Sequence, residues 1–166
     1  MQNTFKKTLL ATAAASLIAG AAHADIKVGV ILGFTGPIES LTPAMADSAE
    51  LAFDEASNSG LLLGGDSIVS VRGDSTCVDA AAATAAAERL VNSDGVVAIM
   101  GADCSGVTGA IAKNVGAPNG VAMISPSATS PGLTSIDDNG VFFRTAPSDA
   151  RQGVVLAGIV MARGID

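Results

Sequence analysis

Short apolar segments alternate with helical segments along most of the sequence, and this alternation constrains the fold more than any other feature. Five segments predict strands: 26–32, 67–72, 96–100, 121–124 and 141–144. Four segments predict helices: 43–60, 79–92, 105–115 and 152–163, and Asp149 could lie at the start of the last one. Repeated strand–helix–strand units build parallel sheets, because each right-handed crossover packs its helix against one face of the sheet. The sequence therefore predicts an α/β fold with a doubly wound parallel sheet and helices on both faces.

Two of the predicted helices have apolar residues at helical spacing, which indicates the sides that pack on the sheet. In segment 43–60 the apolar positions are Met45, Ala49, Ala52, Phe53 and Ala56. In segment 79–92 they are Ala83, Ala86, Ala87, Leu90 and Val91. Alanine has a high helix propensity, so its abundance in the second segment strengthens the helix prediction there.

Polar loops follow three predicted strands, at 33–41, 101–108 and 125–134. Ligands of open parallel sheets bind beyond the carboxyl ends of the strands, so we expect these loops to hold any functional site. Ser105 begins a predicted helix, where backbone amides and its hydroxyl could bind a carboxylate, or where it could be an ordinary helix cap. The hydroxyl-rich segment 125–131 could hold a small polar ligand or form a solvated surface turn.

The first 24 residues predict a secretory signal peptide. Lys6 and Lys7 precede an apolar run over 8–22, which ends in the small-residue pattern Ala22-His23-Ala24. This run is shorter than the roughly 20 strongly apolar residues of a membrane span. A retained amphipathic anchor is the alternative interpretation. We expect an exported mature chain that begins near residue 25 and has about 140 residues, enough for one ordinary domain.

The composition argues against several classes of function. The only histidine, His23, lies in the predicted signal peptide, so the mature chain cannot assemble a Ser-His-Asp triad or a His-based zinc site. Sixteen acidic residues against nine basic ones give a net charge of −7, which disfavours nucleic acid binding. Gly29, Gly33 and Gly36 lack the dinucleotide-binding spacing, and Ser105 lacks a nucleophile-elbow context. These observations favour a protein that is not an enzyme and needs no cofactor.

The chain has two cysteines, Cys77 and Cys104. An even pair in an exported protein favours a disulfide over two free thiols. Each cysteine follows a predicted strand, and neighbouring parallel strands end at the same edge of a sheet, which permits a bridge between the two loops. Alkylation without reductant tests this prediction, because labelling of both cysteines would exclude the bridge.

Five segments, in order, resemble the type I periplasmic binding proteins, and specifically the leucine, isoleucine and valine receptors of ABC transporters. The segments are IKVGVILGFTGP, DSTC, GADCSG, MISPSATSPGLT and FFRTAPSDARQG. By this resemblance, Ser105 binds the α-carboxylate of the ligand, while Ser127 and Thr129 contact its carboxylate and ammonium. Asp149 falls where the family's chain first crosses between two lobes, which implies a hinge or cleft residue. The resemblance also implies the Cys77–Cys104 disulfide.

The same resemblance implies a domain layout and partners. Residues 25–146 would form most of the first lobe, and residues 147–166 the crossover and the first helix of the second lobe. The implied protein is a periplasmic monomer that binds an amino acid and delivers it to a membrane permease. An extracellular sensor module for amides, urea or amino acids is the alternative. One departure concerns the first loop, where some relatives place an aromatic over the ligand and this chain has Leu41, beside Glu39 and Ser40.

Overall fold

The computed structural model describes residues 25–165, so the predicted signal peptide lies outside the described residues. The strands are β1 (Ile26–Leu32), β2 (Ile68–Asp74), β3 (Ala98–Gly101), β4 (Ala122–Ser125) and β5 (Phe142–Arg144). The helices are α1 (Thr42–Asn58), α2 (Ala80–Arg89), α3 (Ser105–Ile111) and α4 (Asp149–Ala162). π-helical turns extend α2 over Leu90–Asp94 and α3 over Ala112–Gly116, and Ala117–Asn119 adds a last turn. A 3-10 turn covers Pro131–Ser135 in the segment between β4 and β5.

These five strands form one parallel sheet in the order β2-β1-β3-β4-β5. The chain moves from β1 to one side, then returns past β1 to build the other side. The loops after β1 and β3 therefore leave neighbouring strands at a point where the order reverses, and such points are where open α/β sheets bind ligands. The predicted α/β fold class and parallel sheet are confirmed.

One face of the sheet is covered by α2 and α3. The buried residues on this side are Ile31, Ala83, Ala87, Leu90, Val96, Ile99, Ala102, Val107, Ile111, Ala112, Val115, Val121 and Met123. Asp79 caps α2 by accepting hydrogen bonds from the N–H groups of Ala81 and Ala82, which satisfies two donors of the first turn. The predicted apolar face of this helix is correct, since Ala86 and Val91 also pack against the cluster.

The opposite face is covered by α1, which packs against Val30 and Leu32 of β1. The prediction for Ala52 is wrong, because this residue is exposed. Ala46 is fully buried in its place, while Met45, Ala49 and Phe53 pack around the same cluster. This contact stripe lies along positions 45, 46, 49 and 53, so Ala52 falls on its outer rim.

The last helix, α4, differs from the others because it has no buried residue. Its exposed apolar side chains include Val154, Val155, Leu156, Ile159 and Met161. Ser148 caps the helix by accepting a hydrogen bond from the N–H of Ala150, and Asp149 lies in the first turn. Within residues 25–165, no helix is both long enough and apolar enough to cross a membrane.

A candidate ligand-binding site at the carboxyl edge of the sheet

Ser105 is the first residue of α3, and its side chain links this helix to the loop after β4. The N-cap position belongs to Cys104, and no side chain caps α3 there, so Ser105 is not an ordinary helix cap. Its Oγ instead accepts hydrogen bonds from the backbone N–H groups of Thr129 and Ser130, both at 3.1 Å. A serine hydroxyl has two acceptor lone pairs and one proton to donate. Both lone pairs are therefore used, and the O–H remains to donate to an acceptor.

The loop after β4 brings two further predicted residues to the same edge. Ser127 is exposed, and its Oγ donates to the backbone oxygen of Asp103 at 3.0 Å. Thr129 Oγ1 donates to Asp149 Oδ2 at 2.9 Å, and the Asp149 N–H donates to the Thr129 carbonyl at 3.0 Å. Because their protons are committed to these partners, the two hydroxyls face any ligand as acceptors.

Three of the predicted site residues, Ser105, Thr129 and Asp149, thus lie on one connected set of hydrogen bonds, and Ser127 lies in the same loop as Thr129. Ser105 offers a donor, whereas Asp149 supplies a carboxylate and the hydroxyls of Ser127 and Thr129 supply neutral acceptors. A donor beside several acceptors is complementary to a ligand that has both a carboxylate and an ammonium group. The structure brings these residues together, and their contact with a ligand stays a prediction.

Arg144, at the end of β5, shapes the same loop, and the sequence reasoning missed it. Its guanidinium donates to the carbonyls of Ala128 and Ser130, at 3.2 and 2.8 Å, and to Thr134 Oγ1. Five N–H donors in a rigid fork suit this role, because one side chain can hold several carbonyls at once. The only signal in the sequence is a basic residue at the end of an apolar strand.

Asp103 is a second residue that the sequence reasoning missed. It lies between β3 and α3, is 3% exposed, and accepts hydrogen bonds from the N–H groups of Gly33 and Cys104, both at 2.8 Å. Beside it, a disulfide joins Cys77 to Cys104, with the two Cα atoms 5.2 Å apart. The disulfide links the loops after β2 and β3, as the family resemblance implied.

The loop after β1 is held to the end of β2 by Asp74. Its carboxylate accepts hydrogen bonds from Thr35 Oγ1 at 2.6 Å and from the N–H of Thr76 at 2.8 Å. Burial raises the pKa of Asp74, but the hydrogen bonds from Thr35, Thr76 and Phe34 together outweigh it, so the pKa lies below its ordinary value of 3.8. Leu41, in the same loop, is 61% exposed.

An open cleft of about 470 Å³ lies between the loop after β4 and one side of α4. Its lining residues are Thr129, Pro147, Ser148, Asp149, Arg151, Gln152, Val155, Leu156 and Ile159. Only Thr129 and Asp149 of the candidate site line this cleft, so the site continues beyond it toward Ser105 and Ser127. Among residues 25–165, no group of three His, Cys, Asp or Glu side chains is arranged to hold a metal ion.

Comparison with known families and proteins adds independent findings. Residues 25–166 match the family model described as periplasmic binding protein. The chain is 36% identical over 156 residues to the Leu/Ile/Val-binding protein BraC3 of Rhizobium johnstonii, covering 93% of this chain and 41% of that protein. It is 34% identical to the Leu/Ile/Val/Thr-binding protein of Salmonella typhimurium, covering 95% of this chain and 42% of that protein. The chain therefore spans about two fifths of the length of these relatives.

Solved structures show the same similarity. The branched-chain amino acid transporter substrate binding protein LivJ of Streptococcus pneumoniae, in complex with isoleucine, is 32% identical with a TM-score of 0.68. That alignment covers 76% of this chain and 35% of LivJ. A solute binding protein of an ABC transporter from R. palustris, in complex with benzoate, is 26% identical with a TM-score of 0.72, over 85% of this chain and 38% of that one. Both ligands carry a carboxylate.

Proposed function

The chain belongs to the periplasmic binding protein family, and from this premise we propose that it acts in the solute-binding component of an ABC transporter, with a branched-chain amino acid as the ligand. The observation that carries the proposal is the hydrogen bonding of Ser105. Its two lone pairs accept the N–H groups of Thr129 and Ser130, so its proton is directed to another acceptor, for which a ligand carboxylate is suited.

The ammonium group of the ligand would bind on the other side of the same set of residues. Asp149 contributes a carboxylate that already accepts the Thr129 hydroxyl, and a carboxylate has further lone pairs for a charged donor. Hydrogen bonds between ionised partners are about twice as strong as neutral ones. Thr129 and Ser127 would complete the contacts with neutral oxygens. Recognition here is noncovalent, and the proposed activity is binding rather than catalysis.

An aromatic carboxylate is a second candidate ligand, because a relative with 26% identity is in complex with benzoate. Benzoate shares the carboxylate that Ser105 would bind, but it has no ammonium group for Asp149. The carboxylate of Asp149 would then have no cationic partner in the ligand and would repel the benzoate carboxylate. The position of Asp149 beside Thr129 therefore favours an amino acid.

We also propose the remaining family features for the complete protein. Residues 25–146 would form most of the first lobe, and residues 147–166 would cross to the second lobe and begin it, so that the ligand lies between lobes that close around it. The exposed apolar side of α4 is consistent with packing inside a second lobe. The predicted signal peptide supports a periplasmic location, where a monomeric receptor would deliver the ligand to a membrane permease.

A thermal-shift series on the complete protein that contains this chain tests the proposal. The solutes are leucine, isoleucine, valine, other amino acids, benzoate, urea and acetamide. A ligand at a thousandfold excess over its Kd stabilises the folded state by about 4 kcal/mol, which raises the midpoint by several degrees. A rise with branched-chain amino acids supports the proposal, and a rise with benzoate alone favours the second candidate. A rise with urea or acetamide alone would favour the sensor alternative, and no rise with any of these solutes would contradict the proposal.

A further inference from the structure

Asp103 is the one charged residue that is buried among residues 25–165. Burial of an unpaired charge is costly, so a buried carboxylate is retained only where hydrogen bonds compensate for its lost hydration. The carboxylate of Asp103 accepts three hydrogen bonds at the carboxyl edge of the sheet, from the segments that follow three different strands. Asp103 lies two residues before Ser105, and its backbone oxygen accepts the hydroxyl of Ser127, so it contacts the candidate site.

The hydrogen bonds of Asp103 connect segments that are far apart in the chain. Oδ2 accepts the N–H of Gly33, after β1, at 2.8 Å. Oδ1 accepts the N–H of Cys104, after β3, at 2.8 Å and the hydroxyl of Ser75, after β2, at 3.3 Å. The Asp103 backbone oxygen accepts the hydroxyl of Ser127, after β4. One residue therefore touches the segments that follow four neighbouring strands.

We propose that Asp103 is a positioning residue for ligand binding, in that the hydrogen bonds to its carboxylate set the loops after β1, β2 and β3 in the arrangement that aims Ser105 at the ligand. This inference rests on the proposed function. An ionised carboxylate only accepts hydrogen bonds, and it has enough lone pairs for three donors at once. The amide of an asparagine at position 103 could accept hydrogen bonds only through its one oxygen. Its NH2 group would take the place of the other oxygen and face an N–H donor.

The disulfide does not duplicate this role. It joins Cys77 to Cys104 and so restrains the loops after β2 and β3. The loop after β1 is joined to them through Gly33, whose N–H is bonded to Asp103. A Cβ at position 33 would lie 3.1 Å from Cys77 Cβ and 3.3 Å from Asp103 Oδ2, so this loop packs closely against both restraints. Asp74 bonds this loop to the end of β2, and Asp103 adds the directional bond to the segment after β3.

The test compares affinity with stability in the complete protein, using leucine as the titrated solute in calorimetry. Asp103→Asn is expected to raise the Kd for leucine about tenfold or more, because one buried donor is left facing another donor. Ile111→Ala is the matched control, since this fully buried residue lies in α3, the helix that follows Asp103, and its truncation lowers stability without touching the three loops. Ile111→Ala should lower the melting temperature as much as Asp103→Asn does. Its Kd for leucine should stay within about twofold of that of the unsubstituted protein, since affinity depends on the loops and not on total stability.

A second variant keeps the inference testable if Asp103→Asn does not fold. Ser75→Ala removes a single donor to Oδ1 and leaves the two backbone bonds in place, so a smaller rise in Kd, about threefold, is expected. Hydrogen exchange of the Thr129 and Ser130 amides should also quicken in both variants, because their acceptor is Ser105.

Each outcome has a distinct meaning. A lower melting temperature with an unchanged Kd and unchanged exchange in the Asp103 and Ser75 variants overturns the positioning role and leaves the proposed function intact. Failure of the unsubstituted protein to bind any of the tested solutes overturns the proposed function, and the inference with it. A raised Kd in the Asp103 and Ser75 variants, together with an unaffected Kd in Ile111→Ala, supports both the positioning role and the proposed function.

Discussion

At the level of single residues, the hydroxyl of Ser105 is the group on which the proposed recognition depends most. Ser105→Ala removes the donor to the ligand carboxylate and also the acceptor of two loop amides. Hydrogen bonds to charged groups contribute about 1.5–3 kcal/mol, so the Kd for the amino acid should rise about ten- to hundredfold. Calorimetric titration measures this change.

A serine outside the site provides the control for that variant. Ser48 is exposed on α1, where its Oγ donates to the Ala44 carbonyl at 2.7 Å. Ser48→Ala should leave the Kd unchanged. An equal loss of affinity in both variants, or none in Ser105→Ala, would contradict the role of Ser105.

The lowered pKa of Asp74 predicts how stability depends on pH. A carboxyl group whose folded pKa is depressed contributes stability above its unfolded pKa, and this contribution is lost as the pH falls through the folded pKa. Asp74→Asn should therefore lower the free energy of unfolding by about 1 kcal/mol at pH 7. This difference should narrow once the pH falls below 3.8, the ordinary value. Urea denaturation over a pH series measures it.

The exposed carboxylate of Asp54 on α1 serves as the comparison for that pH series. Asp54→Asn should change the free energy of unfolding little at either end of the range, as is usual for surface substitutions. The free energies of unfolding of Asp74→Asn and of the unsubstituted protein are compared down to pH 3. If their difference stays constant, the carboxylate charge is not what stabilises this loop.

The residues that could be recognised from sequence differ physically from those that could not. Ser105, Ser127 and Thr129 stand in loops after predicted strands, so the parallel sheet alone indicates that they share an edge. Asp103 stands in the same loop, but its bond to Gly33 spans 70 residues and depends on burial, which no local pattern reveals. Arg144 contacts carbonyls of a preceding irregular loop, whose path depends on packing.

At the level of elements, α2 is fixed to the sheet by Leu90, which lies over two glycines. A Cβ at Gly73 would lie 2.9 Å from Leu90 Cδ1, and one at Gly29 would lie 3.2 Å from it. Gly73→Ala should therefore lower the free energy of unfolding by about 1–3 kcal/mol, because the added methyl forces Leu90 out of place. Denaturant unfolding monitored by circular dichroism measures the loss.

A glycine in α4 gives the opposite expectation for the same chemical change. A Cβ at Gly158 would meet nothing within 4 Å. Gly158→Ala should be neutral or stabilising by about 0.5–1 kcal/mol, because alanine favours the helix. If Gly73→Ala is also neutral, the close packing of α2 on the sheet is wrong.

The disulfide gives a further prediction at this scale. Cys77 and Cys104 are separated by 27 positions. A crosslink over a loop of this length should stabilise the protein by about 3 kcal/mol. Unfolding in denaturant with and without reductant measures the difference. Alkylation of both thiols in the reduced sample alone confirms that the bridge was opened there. Identical unfolding midpoints in the two samples would then contradict a stabilising role for the bridge.

Element boundaries show where sequence reasoning stops. β1 was predicted with its observed bounds, since glycine bounds a buried apolar run. The predicted strand 96–100 is observed at Ala98–Gly101, because Val96 packs in the core before the strand begins. The helix predicted over 152–163 begins at Asp149, the start that the acidic residue suggests, and the Ser148 side chain caps it. Caps and core contacts that precede an element shift its start, and apolar periodicity does not detect them.

At the level of the whole molecule, the proposed recognition depends on a sheet edge that offers one donor and several acceptors to a ligand. The most direct measurement is calorimetric titration of the complete protein with leucine, leucinol and 4-methylpentanoate. Leucinol lacks the carboxylate and 4-methylpentanoate lacks the ammonium, so each should bind at least about tenfold more weakly than leucine, as expected for the loss of a charged hydrogen-bonding partner. Binding of leucinol as tight as that of leucine would contradict recognition of a carboxylate by Ser105.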